Sequence, residues 1–457
     1  MLSSHHFHPS VLREYDIRGI YPETLKEEDA WAIGYCFSKF LSSSPASVVV
    51  ARDGRLSSPS LEDHLVQGLS AAGINIIRIG LGPTPLLYYA VHALKADGGI
   101  MITGSHNPAD YNGFKISLND RPFFGEDIRQ FQHIAQNITL SHSAGTVMEK
   151  DIKQEYVDQL ISAYNNRRPL KVVWDAGNGA TGEILESLIE KLPGDHVLLY
   201  GQIDGTFPHH HPDPSDEHTL EDLKKAVIEH RADVGIAFDG DGDRLGVVDH
   251  LGYSLSPDHL LMLFSQDVLA HSPGASIILD VKTSDAVFDH ITAHGGKPLM
   301  WKTGHSLIKK KMKETGSLFA GEMSGHLFFA DQYYGFDDAL YAAVRLLNII
   351  NSKPEPLSER VNLLPSYFST PEFRIPCEEE RKFKVIEEIQ GRLTQERDVE
   401  VSTIDGVRVS TPKGWWLIRA SNTQDVLVGR CESRNPHNLG DLLNIMKHNL
   451  KLSGISF

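Results

Sequence analysis

The sequence predicts an α/β protein: three tandem, similar α/β domains followed by a smaller C-terminal α+β domain. Three observations carry that prediction. Short apolar runs end abruptly in polar loops, amphipathic helical stretches alternate with them, and one opening pattern recurs three times. The recurrences are Val48-Val49-Val50-Ala51-Arg52-Asp53, Val172-Val173-Trp174-Asp175-Ala176-Gly177 and Ile277-Ile278-Leu279-Asp280-Val281-Lys282, each followed later by a strand that carries a polar cluster. At 457 residues the chain exceeds a single core. The boundaries expected are 1–150, 151–255, 256–368 and 369–457.

Taken in order, Tyr15-Asp16-Ile17-Arg18-Gly19 has neither helical nor strand period and reads as a loop. Ser47–Ala51 is a buried strand, and Ser57 or Ser58 then caps a helix with Pro59 in its first turn and Leu61, Leu65, Val66, Leu69 and Ala72 at helical spacing. A strand at 75–79, a helix at 86–94 and the run Gly99-Ile100-Met101-Ile102 complete a parallel unit. The pattern restarts with Leu170–Trp174, a helix capped by Thr219 with Asp222 three residues on, and the strand Val234–Phe238. It restarts again with Ser276–Leu279 and closes with Ser317–Ala320. A helix at 337–350 precedes the linker Asn351-Ser352-Lys353-Pro354-Glu355-Pro356. The last domain mixes a charged helix at 378–390, strands at 406–409 and 414–418, and a closing helix at 438–450.

Composition narrows the function. Lys and Arg number 44 against 60 Asp and Glu, a net charge of −16, which disfavours non-specific contact with nucleic acid or anionic membrane. No stretch approaches the roughly 18 apolar residues of a membrane span. Cys36, Cys377 and Cys431 are far apart, unlike a metal or disulfide set, and suit buried thiols in a reducing compartment. The expectation is a cytoplasmic protein, monomeric or a small homo-oligomer, whose partners are small molecules. An anionic ligand would need a local group of cations.

Three strand ends carry chemistry. Thr103-Gly104-Ser105-His106-Asn107-Pro108 presents Ser105 on a sharp loop, though a serine there also reads as an ordinary turn residue. In Asp239-Gly240-Asp241-Gly242-Asp243-Arg244, glycines let three carboxylates converge, a hard-oxygen set suited to Mg²⁺ more than zinc. An EF-hand shares the opening, but Arg244 stands where its glycine belongs and His250 where its bidentate Glu belongs. A phosphorylated serine would add about −1.5 to −2 of charge beside that metal, and Arg244, Lys115 and Arg18 are the cations available to balance it. Such a set describes phosphoryl transfer. In Gly321-Glu322-Met323-Ser324-Gly325-His326, Glu322 and Ser324 suit adjacent sugar hydroxyls, and His326 and His305 could move a proton near neutral pH. Arg419, Ser421, Asn422 and Thr423 offer a guanidinium fork, hydroxyls and an amide for a phosphate monoester. His209-His210-His211-Pro212 reads as a structured loop between domains, since consecutive histidines diverge.

Together these stretches resemble the α-D-phosphohexomutase family, in its bacterial phosphomannomutase/phosphoglucomutase branch, over essentially the whole chain. The resemblance implies four domains around a central cleft, the last one mobile. It implies that Ser105 is the phosphoserine and that Mg²⁺ is held by Asp239, Asp241, Asp243 and a phosphoserine oxygen, with glucose 1,6-bisphosphate as activator. It further implies that Glu322 and Ser324 contact sugar hydroxyls and that Arg419, Ser421, Asn422 and Thr423 hold the non-reacting phosphate. Tyr15, Arg18, Lys115, Arg244, Lys282, His305 and His326 match positions lining the active site, with His326 favoured for proton transfer and Lys115 or His305 as its partners. Met323 selects the branch, since phosphoglucosamine mutases typically carry Gln there. Gln424-Asp425 departs from relatives that have proline, which implies a looser phosphate loop. The alternatives are a phosphoglucosamine mutase, a catalytically silent sugar-phosphate binder, or a simple phosphatase.

Overall fold

Each recurring apolar run is a central strand, as a run without polar alternation requires. The structure is a computed structural model that describes residues 3–43, 45–119, 121–139, 144–165, 168–393, 399–422 and 424–457. Ser47–Arg52 lies between Asn75–Leu81 and Gly98–Ile102, all parallel. Leu170–Asp175 lies in the same way between Gly194–Leu199 and Val234–Phe238, and Ser276–Asp280 between Lys297–Trp301 and Phe319–Gly321. In all three sheets the first strand has the second on one side and the third on the other. That shared order is the repeat seen in the sequence. The chain divides into two bodies: Met1–Leu260 with Ser324–Leu363, and Leu261–Met323 with Leu364–Phe457.

In the first body, two antiparallel strands extend the first sheet: Tyr111–Leu118 against Gly98–Ile102, and Ile17–Ile20 against Tyr111–Leu118. The stretch Tyr15–Gly19 is therefore not wholly loop. Ile17, Arg18 and Gly19 are buried strand residues, and the polar Arg18 on a covered face hides the strand's alternation. The helix Ser58–Ala71 buries Leu61, Leu65 and Leu69 completely, as its spacing requires, but Ser58 donates its hydroxyl to Asp53 Oδ1 at 2.6 Å instead of capping. Thr219 does not cap either. A 3₁₀ turn at Glu217–Leu220, capped by Asp216, precedes the helix Glu221–His230, and the Thr219 hydroxyl donates to the carbonyls of Asp213 at 2.7 Å and Asp216 at 2.8 Å. The helix Ala339–Asn351 takes Asp338 as its cap, so Asn351 belongs to it and not to the linker.

In the second body, an antiparallel sheet runs in the order Phe368–Ser369, Val426–Ser433, Gly414–Ala420, Val407–Thr411, Glu400–Ser402, with Phe373–Pro376 also pairing to Val426–Ser433. Strand alternation gives Gly414–Ala420 two faces. Trp416 and Ile418 bury against Val385, Ile389, Leu442 and Met446 of the helices Glu379–Leu393 and Pro436–Leu452. Trp415 and Leu417, on the opposite face, pack on Val281 at the end of Ser276–Asp280. Arg419 continues that second face. All three cysteines are buried and free. Among the described residues, no helix is long and apolar enough to cross a membrane.

Candidate active site

Strand ends place the first group of site residues, all in the first body. Gly98–Ile102 leads into the loop of Ser105, whose φ of +51° is left-handed, an uncommon conformation for a residue with a Cβ. Its amide donates to Thr103 Oγ1 at 2.8 Å, and its hydroxyl donates to Asp239 Oδ2 at 3.0 Å with His106 Nδ1 at 3.1 Å. Val234–Phe238 leads into the acidic loop. A Cβ at Gly240 would stand 2.4 Å from the Ser105 carbonyl oxygen, so glycine is what lets the two loops touch.

Asp239, Asp241 and Asp243 are fully buried and bring one oxygen each within 4.8 Å of the others. The ammonium of Lys115, on Tyr111–Leu118, donates to Asp241 Oδ2 at 2.7 Å and to Asp243 Oδ2, and the Thr84 hydroxyl also donates to Asp241. Asp239 Oδ1 accepts the amides of Asp243 at 3.0 Å and Arg244 at 3.2 Å. Burial and the charges of Asp241 and Asp243 raise Asp239 well above the usual carboxylate range. Burial also pushes Asp241 up, but Lys115 and Thr84 more than reverse this and hold it low. For Lys115 the desolvation penalty is outweighed by Asp241, Asp243 and Asp239, so its pKa is raised and it stays a cation. That setting suits charge stabilisation, not uptake of a proton. Asp241 Oδ1 and Asp243 Oδ1 are buried without a hydrogen-bond partner. Three hard oxygens with two free lone-pair positions fit a Mg²⁺-like ion.

His326 stands beside this group. Arg244 Nε donates to its Nε2 at 3.2 Å, while its Nδ1 lies 3.2 Å from Asp337 Oδ2 and 3.5 Å from Asp243 Oδ1. A guanidinium only donates, so Nε2 accepts and the neutral ring carries its proton on Nδ1. Arg244 is raised above its ordinary value because Asp213, Asp239 and Asp243 outweigh its desolvation. Loss of hydration, then Arg244 and Arg18, hold His106 well below the usual histidine range, leaving a neutral ring beside Ser105. Arg18 pairs with Asp16 at 2.6 Å and donates to Asn107 Oδ1 at 2.7 Å. Tyr15 and Ser324 are half-buried residues of this body, flanking Arg18 and His326 in the chain.

The second body assembles the second group. Lys282 Nζ meets Glu372 at 3.0 Å and Asp280 at 3.9 Å. Burial pushes Glu372 up, but the Lys282 ammonium overrides this and lowers it. Glu322 accepts the amide of Gly304, which fixes the start of the helix His305–Thr315 and with it the buried His305. Asp405 Oδ2 joins two loops, taking Arg419 Nε at 2.9 Å and the Thr303 amide at 3.1 Å. Ser421 Oγ accepts the Gln424 amide at 3.1 Å, and Asn422 is half-buried beside it. Thr423 lies outside the described residues. Behind this group the two cross-strand neighbours of Leu417, Arg408 and Arg430, form a clasp. Arg408 donates to the carbonyls of Val281 at 2.8 Å and Thr283 at 3.1 Å and to Asp285 at 2.6 Å, with its guanidinium 3.9 Å from the Trp415 ring centroid. Arg430 donates to the Lys282 carbonyl at 2.5 Å.

Sequence reasoning missed Thr84, His106, Asp337, Glu372 and Asp405. His106 alone carried a signal, its place next to Ser105; the others look like caps and loop acids until the sheets bring them to the site. The three consecutive histidines diverge as expected, His209 to Asn178 Oδ1 at 2.7 Å and His210 to Asp175 at 3.1 Å. Their loop packs on the end of Leu170–Asp175.

Known proteins resemble this chain along nearly its whole length. The chain matches four phosphoglucomutase/phosphomannomutase families: alpha/beta/alpha domain I over 10–142, domain II over 154–252, domain III over 256–367 and the C-terminal domain over 372–446. It is 46% identical over 443 residues to a phosphomannomutase/phosphoglucomutase of Pseudomonas aeruginosa, covering 97% of this chain and 96% of that one. It is 44% identical over 427 residues to a phosphoglucomutase of Neisseria meningitidis, covering 93% of each. A crystal structure of a phosphoglucomutase/phosphomannomutase family protein from Burkholderia thailandensis superposes with a TM-score of 0.90 at 40% identity over 98% of both chains. With all four domain families present in order and relatives this similar along nearly its whole length, the chain belongs to the phosphoglucomutase/phosphomannomutase family.

Proposed function

We propose that this protein is a phosphohexomutase that interconverts hexose 1-phosphate and hexose 6-phosphate, of mannose, glucose or both, through phospho-Ser105 and a 1,6-bisphosphate intermediate. The observation that carries the reading is Ser105 Oγ held 3.0 Å from Asp239 within a buried group of three carboxylates and two cations. In the first transfer the bond from phosphorus to Ser105 Oγ breaks and one to the sugar hydroxyl forms. The hydroxyl proton passes to a base, a role we assign to His326: Asp337 holds its Nδ1 proton, and Nε2 takes up the new proton once it exchanges the Arg244 N–H for the sugar hydroxyl. The intermediate turns over and its other phosphate returns to Ser105. Lys115, Arg244 and Arg18 stabilise the charge of the transferring group. Mg²⁺, held by Asp239, Asp241, Asp243 and a phosphoserine oxygen, would neutralise charge on that group.

Glu322 and Ser324 are assigned to the sugar hydroxyls, Arg419, Ser421, Asn422 and Thr423 to the non-reacting phosphate, and Tyr15 and Lys282 to further contacts with the substrate; His305 is a secondary proton carrier. Glucose 1,6-bisphosphate would recharge a dephosphorylated Ser105. The domains we take as 1–150, 151–255, 256–368 and 369–457. The compartment we infer is the cytoplasm, which suits three buried free thiols.

Phosphorus NMR tests the reading. Protein with Mg²⁺ and a trace of glucose 1,6-bisphosphate is given mannose 1-phosphate, glucose 1-phosphate or glucosamine 1-phosphate. The first two should convert to 6-phosphates and the third lag. Turnover of the glucosamine ester alone would establish a phosphoglucosamine mutase and overturn the weight given to Met323. Release of inorganic phosphate would indicate a phosphatase, and no turnover a silent binder. Ser105→Ala should abolish turnover with the melting temperature unchanged.

A further inference from the structure

Ser105 sits in a loop held by short-range amide bonds and by one distant side chain on which several of its carbonyls converge. Its own amide bonds to Thr103 Oγ1, that of Asn107 to the Gly104 carbonyl at 3.0 Å and that of Tyr111 to the Pro108 carbonyl at 3.0 Å. Four carbonyls of this segment turn inward onto one side chain, Arg55, from the first Arg-Asp-Gly-Arg strand end. Arg55 Nη2 donates to the carbonyls of Ser105 at 2.8 Å and Asn107 at 2.6 Å, and Nη1 to those of Tyr111 at 3.0 Å and Pro108. Nε donates to Asp53 Oδ2 at 3.2 Å, and the same oxygen accepts the Gly104 amide at 3.1 Å. A guanidinium has five N–H groups, and all five are used. The side chain is 0% exposed. It is covered by the Phe207 ring at 5.1 Å, and a Cβ at Gly205 would come within 2.4 Å of the Arg55 Cα.

We propose that Arg55 is a positioning residue for phosphoryl transfer, acting through the backbone to hold Ser105 in its left-handed conformation with Oγ aimed at the acidic loop. A left-handed residue with a Cβ costs roughly 1–2 kcal/mol and persists only where its surroundings over-determine it. Here the over-determination is a planar, five-donor fork that fixes the carbonyl of Ser105 together with those of Asn107, Pro108 and Tyr111. Lysine brings the same charge but three donors on a flexible stem, and it cannot span four carbonyls in fixed directions. Arg55 bonds to the Ser105 carbonyl and not to its hydroxyl, and all five of its donors are taken by the protein itself.

The inference rests on Ser105 as the nucleophile, and the test separates the two claims. Wild type, Ser105→Ala, Arg55→Lys and Arg55→Ala are dephosphorylated, then mixed with glucose 1,6-bisphosphate, and the gain of one phosphate is followed by intact mass. Wild type should gain it and Ser105→Ala should not; a Ser105→Ala protein that labels and turns over at the wild-type rate would sink the nucleophile assignment itself. Arg55→Lys should keep KM within about threefold while kcat and the labelling rate both fall by about 100-fold, the split expected when geometry in the transition state is lost and ground-state binding is kept. Labelling of Arg55→Lys within threefold of wild type overturns the positioning role. Should Arg55→Lys lose its native circular dichroism, added guanidinium on Arg55→Ala decides: recovery of labelling, saturating with guanidinium, supports the role, and a folded Arg55→Ala that labels at the wild-type rate without it refutes the role.

Discussion

Lys115 and Lys282 are both buried lysines facing carboxylates, yet their surroundings differ. Lys115 touches Asp241 and Asp243, neither of them exposed, while Asp239 completes a cage of charge with the Ser105 hydroxyl on it. Lys282 meets one close carboxylate, Glu372, whose side chain is 30% exposed, and Arg419 in the same body meets Asp405 at 13%. In the first region charges are matched inside a low dielectric, where each interaction is strong and each unmatched group costly. In the second, the acid partners are less enclosed, so a phosphate arriving as proposed above would take the cation while the displaced carboxylate turned to water. A mutase that binds its intermediate in two orientations needs both: a frame that does not rearrange during transfer, and contacts that exchange between transfers.

The largest test of that contrast is Lys115→Met. Removing one member of a buried ion group leaves uncompensated carboxylates, so unfolding should become easier by about 3–5 kcal/mol. The kcat should fall roughly 100- to 1,000-fold with loss of a pre-set charge at the transferring group. Chemical denaturation and steady-state rates check both; a stable, active variant would mean the frame is not needed.

A smaller effect is expected behind His326. Burial raises Asp338 from 3.8 to about 6, against hydrogen bonds from the Tyr341 amide at 2.9 Å and the hydroxyls of Tyr333 at 2.7 Å and Tyr156 at 2.9 Å. The native state thus holds this proton more tightly than the unfolded chain. Its contribution to stability is fully present below pH 3.8 and is lost as pH rises through about 6. Asp338→Asn keeps a capping oxygen and carries no charge, so its stability relative to wild type should grow between pH 4 and 7, by on the order of 2 kcal/mol. Melting temperatures across that range decide; a constant difference would show that Asp338 titrates normally.

The smallest effect belongs to the second region. Arg419→Lys keeps the charge and loses the fork, so KM for a hexose phosphate should rise about tenfold, roughly 1.4 kcal/mol, with kcat within about threefold. A fall in kcat with unchanged KM would place Arg419 in the transfer step and erase the distinction between the regions.

Strand ends were the legible part of this site. At 102 to 103 a buried apolar run gives way at once to Thr, Gly and Ser, and at 238 to 239 to Asp, and that discontinuity is local, so a sequence displays it. The strand Tyr111–Leu118 was not legible, because the polar Asn112 and Lys115 and the glycine at 113 are all buried and spoil its alternation. Partnerships were hidden for a different reason. Thr84 opens a helix and reads as part of a Pro-rich turn, yet its hydroxyl serves Asp241, a pairing that exists only once the strand order brings distant chain ends together. Thr219 misled because the nearby Asp216 is the better acceptor for the first free amides and took the capping place.

The clasp of Arg408, Arg430 and Trp415 has a kinematic consequence. Four polar contacts and a buried aromatic face tie the turn at 281–285 to the C-terminal sheet, and none can slide without exposing a guanidinium or stranding a carbonyl. Lys282 is thus a passenger of the last domain as much as a member of the third. Any rotation of that domain would swing Lys282 and Arg419 along one arc, so the two substrate-binding cations proposed above would move as a single jaw.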